Sequence, residues 1–304
     1  MPSSRQSSTA VTAPGHLVEL LERVERAELL DRPGSWSSSL VHRLLPGGPV
    51  KDALSGSWLG HPLHPALVAT PIGLLGSMPL LDLLGGRSDA ALRRRILGLG
   101  LLAALPAATA GLVDWSDTRG AEQRTGLVHA LVNVAALGAF TRSWWRRRGG
   151  RGGSVAAVAG TTLLVAGGWL GGHLAYALGV GVDTTLFRAG PSEWEDVGDE
   201  ASLGTGKPVP LRAGRVGLVA FRGDGDQVWV LESRCTHRGG PLAEGITDGE
   251  CVTCPWHGSR FRLEDGSVVG GPAVRPQPAY EARLSAGRLQ VRRAEPRTLR
   301  KNPV

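Results

Sequence analysis

Cysteine is scarce in this chain. Three thiols, Cys235, Cys251 and Cys254, among 304 residues are too few for a scaffold held together by disulfides. Charged residues are also few, at 20%, but a hydrophobic content of 42% sets the chain apart from disordered compositions. Residues 1–14 are rich in Ser, Thr, Pro and Ala and contain no apolar run, so they read as a disordered segment without a cleavable secretory signal. A continuous basic stripe is missing as well. The formal charge of +7 resides mostly before residue 190. Its arginines bunch at Arg87, Arg93, Arg94 and Arg95, and at Arg142, Arg146, Arg147, Arg148 and Arg151, in short loops beside apolar runs; no nucleic-acid partner is expected. What is abundant divides the chain in two. Leu, Ala and Gly crowd residues 61–181 and alternating β-type residues fill 193–293, which predicts two domains of different solvent class.

Within residues 15–60, positions 16–32 place Leu17, Leu20, Leu21 and Val24 opposite Glu19, Glu22, Arg23 and Arg26. That is the period of an amphipathic helix, lying on a membrane surface or packed on the protein. Four apolar stretches follow at 66–84, 96–113, 126–140 and 155–178. Most are long enough to cross about 30 Å of hydrocarbon at about 1.5 Å per residue, and Trp144 and Trp145 extend the short third one into the headgroup belt. Four such runs joined by short loops favour a transmembrane bundle over the core helices of a soluble protein. The loops at 85–95 and 141–153 are Arg-rich whereas that at 114–125 is not. The positive-inside rule therefore puts the first two in the cytoplasm, and the termini and the 114–125 loop on the opposite side. Arg146-Arg147-Arg148 is followed by Gly149 and Gly150, so it reads as an ordinary inside-positive loop rather than a twin-Arg export address.

With four alternating spans, His61, His64, Asp114, His129 and His173 are expected at one membrane face, beside the glycines 167, 168, 171 and 172 that permit close helix approach. Neutral imidazoles on facing helices could ligate haem b iron or frame a quinone pocket; simple interhelical hydrogen bonding is the plainer alternative. The runs Leu59-Gly60-His61-Pro62-Leu63-His64-Pro65, Pro71-Ile72-Gly73 and Gly168-Trp169-Leu170-Gly171-Gly172-His173 resemble a bacterial four-helix transmembrane domain family of unknown function. That resemblance covers about residues 50–182 and implies no activity.

After a linker at 182–192, residues 193–293 read as short strands between Gly and Pro turns, at 216–221, 227–231, 249–254, 280–284 and 289–291. They predict a small antiparallel sandwich or barrel. Inside them stand Cys235-Thr236-His237 and Cys254-Pro255-Trp256-His257. Two facing turns would supply two thiolates and two imidazoles, a set acceptable both to tetrahedral zinc and to a Rieske centre. The surroundings, Cys235 through Gly245, then Cys254 through Phe261 and Gly270-Gly271-Pro272-Ala273, closely resemble the Rieske 2Fe-2S domain family. The resemblance implies that Cys235 and Cys254 bind the inner iron of a 2Fe-2S cluster and His237 and His257 the outer, redox-active one. Members in quinol-oxidising complexes add a disulfide between the two loops, and Ser and Tyr hydroxyls toward the cluster. Here Gly240 and Trp256 occupy the disulfide positions, Ser259 is kept, and Phe261 stands in the Tyr place. Fewer donors to stabilise the added electron imply a potential below that of the quinol-oxidising type. Cys251 reads as a small buried apolar residue outside the ligand set.

The expected architecture is thus a four-span α-helical bundle followed by an all-β Rieske domain at 193–293 with a cluster-binding subdomain, and a tail at 294–304. The expected role is a one-electron carrier in a bacterial redox chain, anchored in the cytoplasmic membrane with its β-domain on the extracytoplasmic side. A redox partner protein or a quinone would exchange the electron. The alternative is a tethered redox-sensing or assembly subunit without turnover. A complete Rieske oxygenase is not expected, because no region remains for a mononuclear iron domain.

Overall fold

The computed structural model describes residues 15–86, 89–150, 152–204 and 206–294; the expectations for residues 1–14 and for most of the tail lie outside them. The N-terminal part is helical: α1 (Gly15–Glu25), α2 (Asp31–Leu44), α3 (Pro49–Ser55), α4 (Leu63–Gly76), α5 (Met78–Leu84), α6 (Ala90–Ser116), α7 (Ala121–Arg148) and α8 (Ser154–Tyr176). The helix expected over 16–32 breaks after Glu25. The chain tightens there into a 3₁₀ turn at Glu28–Leu30, and both sides of the break are held by Arg124 of α7. Its guanidinium donates to both Asp31 carboxylate oxygens, at 2.6 and 2.7 Å, and to the Glu25 carbonyl at 2.7 Å. A bidentate pair reinforced by a backbone contact fixes geometry as well as charge, so α1 packs on the bundle.

The first apolar stretch is two helices, α4 and α5, meeting at Ser77 with Pro79 in the first turn of α5. Proline lacks the N–H needed to continue a helix but is tolerated at a helix start. Among the described residues, three segments are long and apolar enough to cross a membrane: Leu63–Leu84, Ala90–Ser116 and Ser154–Tyr176. The stretch at 126–140 lies in α7, which has the length but carries Arg124, His129, Asn133 and Arg142 along it, and it does not reach that apolarity. α7 packs mainly on α8, and α4 on α6. Leu75, Met78, Leu97, Phe140 and Ala157 form the dry centre, while Leu99, Leu102, Leu105, Val158 and Val165 face outward. An apolar exterior of this kind suits hydrocarbon rather than water.

Ten strands follow. A six-stranded antiparallel sheet runs in the order β1 (Glu195–Asp199), β10 (Arg288–Arg293), β9 (Ala279–Ser285), β4 (Val228–Glu232), β3 (Val216–Arg222), β2 (Val209–Ala213). Its two edges curl toward each other, where the Gly214 N–H donates to Glu195 Oε1 at 3.0 Å. A second sheet, β5 (Ile246–Thr247), β6 (Cys251–Thr253), β7 (Arg260–Arg262) and β8 (Val268–Gly270), forms a small subdomain. Val219, Phe221, Leu231, Leu242, Val252, Phe261 and Leu263 join the two sheets in one core that also encloses Cys235 and Cys254. Strands β1, β2, β5, β7 and β8 escape the sequence reading, because they are short or interrupted by charge, as in Glu-Asp-Val-Gly-Asp of β1.

Candidate metal centre

Two loops bring the Cys and His residues together, one after β4 and one between β6 and β7, and they share one backbone pattern. In the first, the Cys235 N–H donates to the Gly240 carbonyl at 2.9 Å and the Gly239 N–H to the Cys235 carbonyl at 2.8 Å. In the second, the Cys254 N–H donates to the Ser259 carbonyl at 2.8 Å and the Gly258 N–H to the Cys254 carbonyl at 3.1 Å. Each turn therefore closes on its cysteine, and each needs a residue of positive φ four places on. Gly239 and Gly258 both have φ 75°, a conformation glycine adopts without steric cost. The third loop locks the second, with the Ala273 N–H donating to Ser259 Oγ at 3.1 Å.

The four side chains gather as two pairs. Cys235 and Cys254, both buried, share a sulfur–sulfur hydrogen bond that pushes the Cys235 thiol up and holds Cys254 below the usual thiol range. The rings of His237 and His257 meet edge to face, with centroids 5.1 Å apart. Burial pushes both imidazoles down to about 4, which keeps them neutral at physiological pH, the form that binds metal. Among the described residues, no three His, Cys, Asp or Glu side chains surround a single ion. A thiol pair beside an imidazole pair is the donor set of a two-iron cluster, one pair to each iron. His237 Nδ1 is buried without a hydrogen-bond partner. Such an orphan is costly unless something binds it, and an iron ligand bond would satisfy it.

Around the pairs, Gly240 is obligatory for space, since a Cβ there would lie 2.7 Å from Cys254 Sγ and 3.1 Å from Trp256 Cγ. Phe261 is fully buried and brings no hydroxyl, whereas Ser259, also fully buried, keeps its proton free to donate. Trp256 is 54% exposed and packs edge-on to His257. Cys251 is buried on β6 and takes part in neither pair. Sequence reasoning missed two residues that set the first loop. Gln277, 1% exposed, accepts from the Thr236 N–H at 3.0 Å and donates to the carbonyls of Glu232 and Arg234 at 2.7 and 2.8 Å. Thr184, in the segment read as a linker, donates its hydroxyl to the Cys235 carbonyl at 2.8 Å and its N–H to the Thr236 carbonyl at 3.2 Å. A glutamine between prolines, Pro276-Gln277-Pro278, was the only available hint.

The imidazole pair faces the helical bundle. Arg238 forms an ion pair with Glu122 at the start of α7. Asp117, 3% exposed, is held by Lys51 Nζ at 2.8 Å and His42 Nε2 at 3.0 Å. Its charge reaches both His237 and His257. Asp114 belongs here too, in the field of Asp117, Lys51 and Arg238, and not with the histidines as the sequence suggests. Of the histidines, His64 and His129 lie within electrostatic reach of each other. His64 Nδ1 lies 2.8 Å from the Ala107 carbonyl, bridging α4 to α6, and His129 Nδ1 lies 2.9 Å from the Gly167 carbonyl, bridging α7 to α8. His173 Nε2 pairs with Glu25 at 2.7 Å. His61 is exposed and borders a cavity of about 220 Å³ between the bundle and the β-domain, with Asp183, Leu186, Val274 and Arg275. For His64 and His129 a backbone carbonyl on the neighbouring helix takes up Nδ1.

Paired Cys/His loops on a small antiparallel domain define a class, the iron–sulfur proteins whose cluster takes two thiolates and two imidazoles. Comparison with known families agrees. Residues 193–281 match the Rieske [2Fe-2S] domain and residues 60–184 the predicted membrane protein family DUF2231. The chain is 34% identical over 80 residues to ferredoxin CarAc of Metapseudomonas resinovorans, covering 26% of this chain and 74% of that protein. It is 35% identical over 85 residues to the probable 3-ketosteroid-9-alpha-monooxygenase oxygenase component of Rhodococcus rhodochrous, covering 28% of this chain and spanning 21% of that relative. A solved ferredoxin of carbazole 1,9a-dioxygenase from Nocardioides aromaticivorans IC177 aligns at 26% identity and a TM-score of 0.32, over 34% of this chain and 100% of its own. The chain belongs to the Rieske family, joined to a DUF2231 domain, and its cofactor is a 2Fe-2S cluster.

Proposed function

We propose that this protein is a membrane-anchored one-electron carrier, with Cys235 and Cys254 as thiolate ligands and His237 and His257 as imidazole ligands. The observation that carries the reading is the split of two buried thiols and two half-buried imidazoles into a thiol pair and an imidazole pair, with His237 Nδ1 left orphaned. A Rieske cluster supplies reversible one-electron chemistry at a potential of about −150 to +300 mV. The chain's own residues then decide the rest. Ser259 offers one hydroxyl and Phe261 none, which supports a potential below that of quinol-oxidising members.

Placement of the β-domain outside the cytoplasm follows from the arginines at the opposite end of the bundle. Thr184 and the Arg238–Glu122 pair hold the ligand loops against the bundle rather than on a free tether, so the electron partner is a quinol or a docked protein reaching that junction. His64 and His129 act as helix bridges in this reading. The test is absorption and electron paramagnetic resonance of detergent-purified protein, with quinol added. A Rieske signal reduced by quinol supports the carrier. A colourless zinc protein overturns it, a haem Soret band overturns the helix-bridge role, and a cluster that no quinol or ferredoxin reduces favours the sensing alternative. Protease treatment of spheroplasts tests the side, which is wrong if residues 193–293 stay protected.

A further inference from the structure

At the end of the bundle far from the metal centre, the two arginine triplets do unequal work. Arg93 and Arg147 converge on Asp82 of α5. Arg147 donates to both its oxygens at 2.8 and 2.5 Å, Arg93 Nε lies 3.4 Å away, and all three side chains are nearly buried. That triad ties α5, α6 and α7 together and consumes one arginine of each triplet. Arg94, Arg95 and Arg148 have no carboxylate partner among the described residues; instead they line one open cavity of about 550 Å³ with Gly98, Leu99, Leu102 and Trp144. Arg148 is stacked over the Trp144 ring at 5.2 Å. The indole Nε1 edge of Trp144 lies over Gly98, where a Cβ would come within 3.2 Å of it. Below this cationic rim, Leu99 and Leu102 are 57% and 64% exposed.

The cavity therefore has three uncompensated guanidiniums and an indole donor at one level, and a bare apolar wall on the membrane-spanning helix α6 directly beneath. A free inorganic anion would use the rim and leave the wall uncovered. An anionic phospholipid would use both, its phosphate on the guanidiniums and an acyl chain along Leu99 and Leu102. We propose that this cavity is a binding site for an anionic phospholipid. The proposal rests on the bundle spanning a membrane and is independent of the electron-carrier reading.

The test uses the full chain purified in detergent, with phosphatidylglycerol, phosphatidylcholine and inorganic phosphate as probes and native mass spectrometry or lipid extraction as readout. Wild type is expected to retain phosphatidylglycerol in preference to phosphatidylcholine. Each of Arg94→Gln, Arg95→Gln and Arg148→Gln is expected to weaken that preference about fivefold, from about 1 kcal/mol per basic residue. Arg142→Gln, at the same end but outside the cavity, should change nothing. An unchanged helical circular-dichroism signal and elution volume show that the bundle of each variant remains folded. Equal retention of phosphatidylglycerol by wild type and all three variants overturns the proposal, as does displacement of the lipid by millimolar inorganic phosphate, which would make the site one for a free anion.

Discussion

Replacing Gln277 by Leu should loosen the first ligand loop more than any ligand-sparing change nearby. The side chain is 1% exposed and makes three hydrogen bonds, at 3.0, 2.7 and 2.8 Å, to the backbone of Thr236, Glu232 and Arg234. Leucine has nearly the same volume, so the cavity cost is small, but one N–H and two carbonyls lose their partner. A buried group left unpaired costs about 1–3 kcal/mol. The Glu232 and Arg234 carbonyls share one donor nitrogen, so the three losses are not independent, and the expected total is about 3–4 kcal/mol, from the lower part of that range. Thr236 lies between Cys235 and His237, so the same change should speed iron loss. Denaturation of the detergent-solubilised holoprotein, followed by cluster absorbance, reports on the β-domain without requiring the helical bundle to unfold with it. If Gln277→Leu unfolds within about 0.5 kcal/mol of wild type and keeps its iron as long, the argument that this side chain pins the loop is wrong.

Gly240→Ala places a carbon 2.7 Å from Cys254 Sγ; overpacking of about 1–3 kcal/mol should appear as reduced iron occupancy, and full occupancy would contradict the close-approach argument. Glu232 is fully buried, both its oxygens lack hydrogen bonds, and burial pushes it up to about 7 despite Arg188 at 3.7 Å. Because the native state holds this proton more tightly than the unfolded chain, stability should fall as pH rises from about 4.5 through about 7, by about 3 kcal/mol in all. Glu232→Gln should flatten that part of the profile and stabilise the domain at pH 8, measured by the same denaturation; an unchanged profile refutes it. Cys251→Ser should leave the absorption and resonance spectra as they are, at a stability cost of about 1 kcal/mol, and loss of iron would place Cys251 among the ligands.

The candidate ligands were legible because their geometry is local. Cys235 with His237 and Cys254 with His257 sit within single turns whose closing glycines, Gly239 and Gly258, stand at the same spacing. A turn is specified by residues adjacent in sequence. The apolar helices were legible for a similar reason, since length and hydropathy of one segment suffice. The break between α1 and α2 was not, because Arg124, about a hundred positions away, stabilises it.

Sequence alone therefore singled out the candidate donor set, the β-character of the last hundred residues and the presence of membrane-length helices, all properties of short contiguous stretches. Only the tertiary structure decided that His64 and His129 each bond a carbonyl of a neighbouring helix, that Asp114 and Asp117 gather beneath the imidazole pair, and that Gln277 and Thr184 hold the first loop. Those outcomes depend on which buried polar group reaches a partner first once the chain is packed, and that competition is settled between residues far apart in sequence.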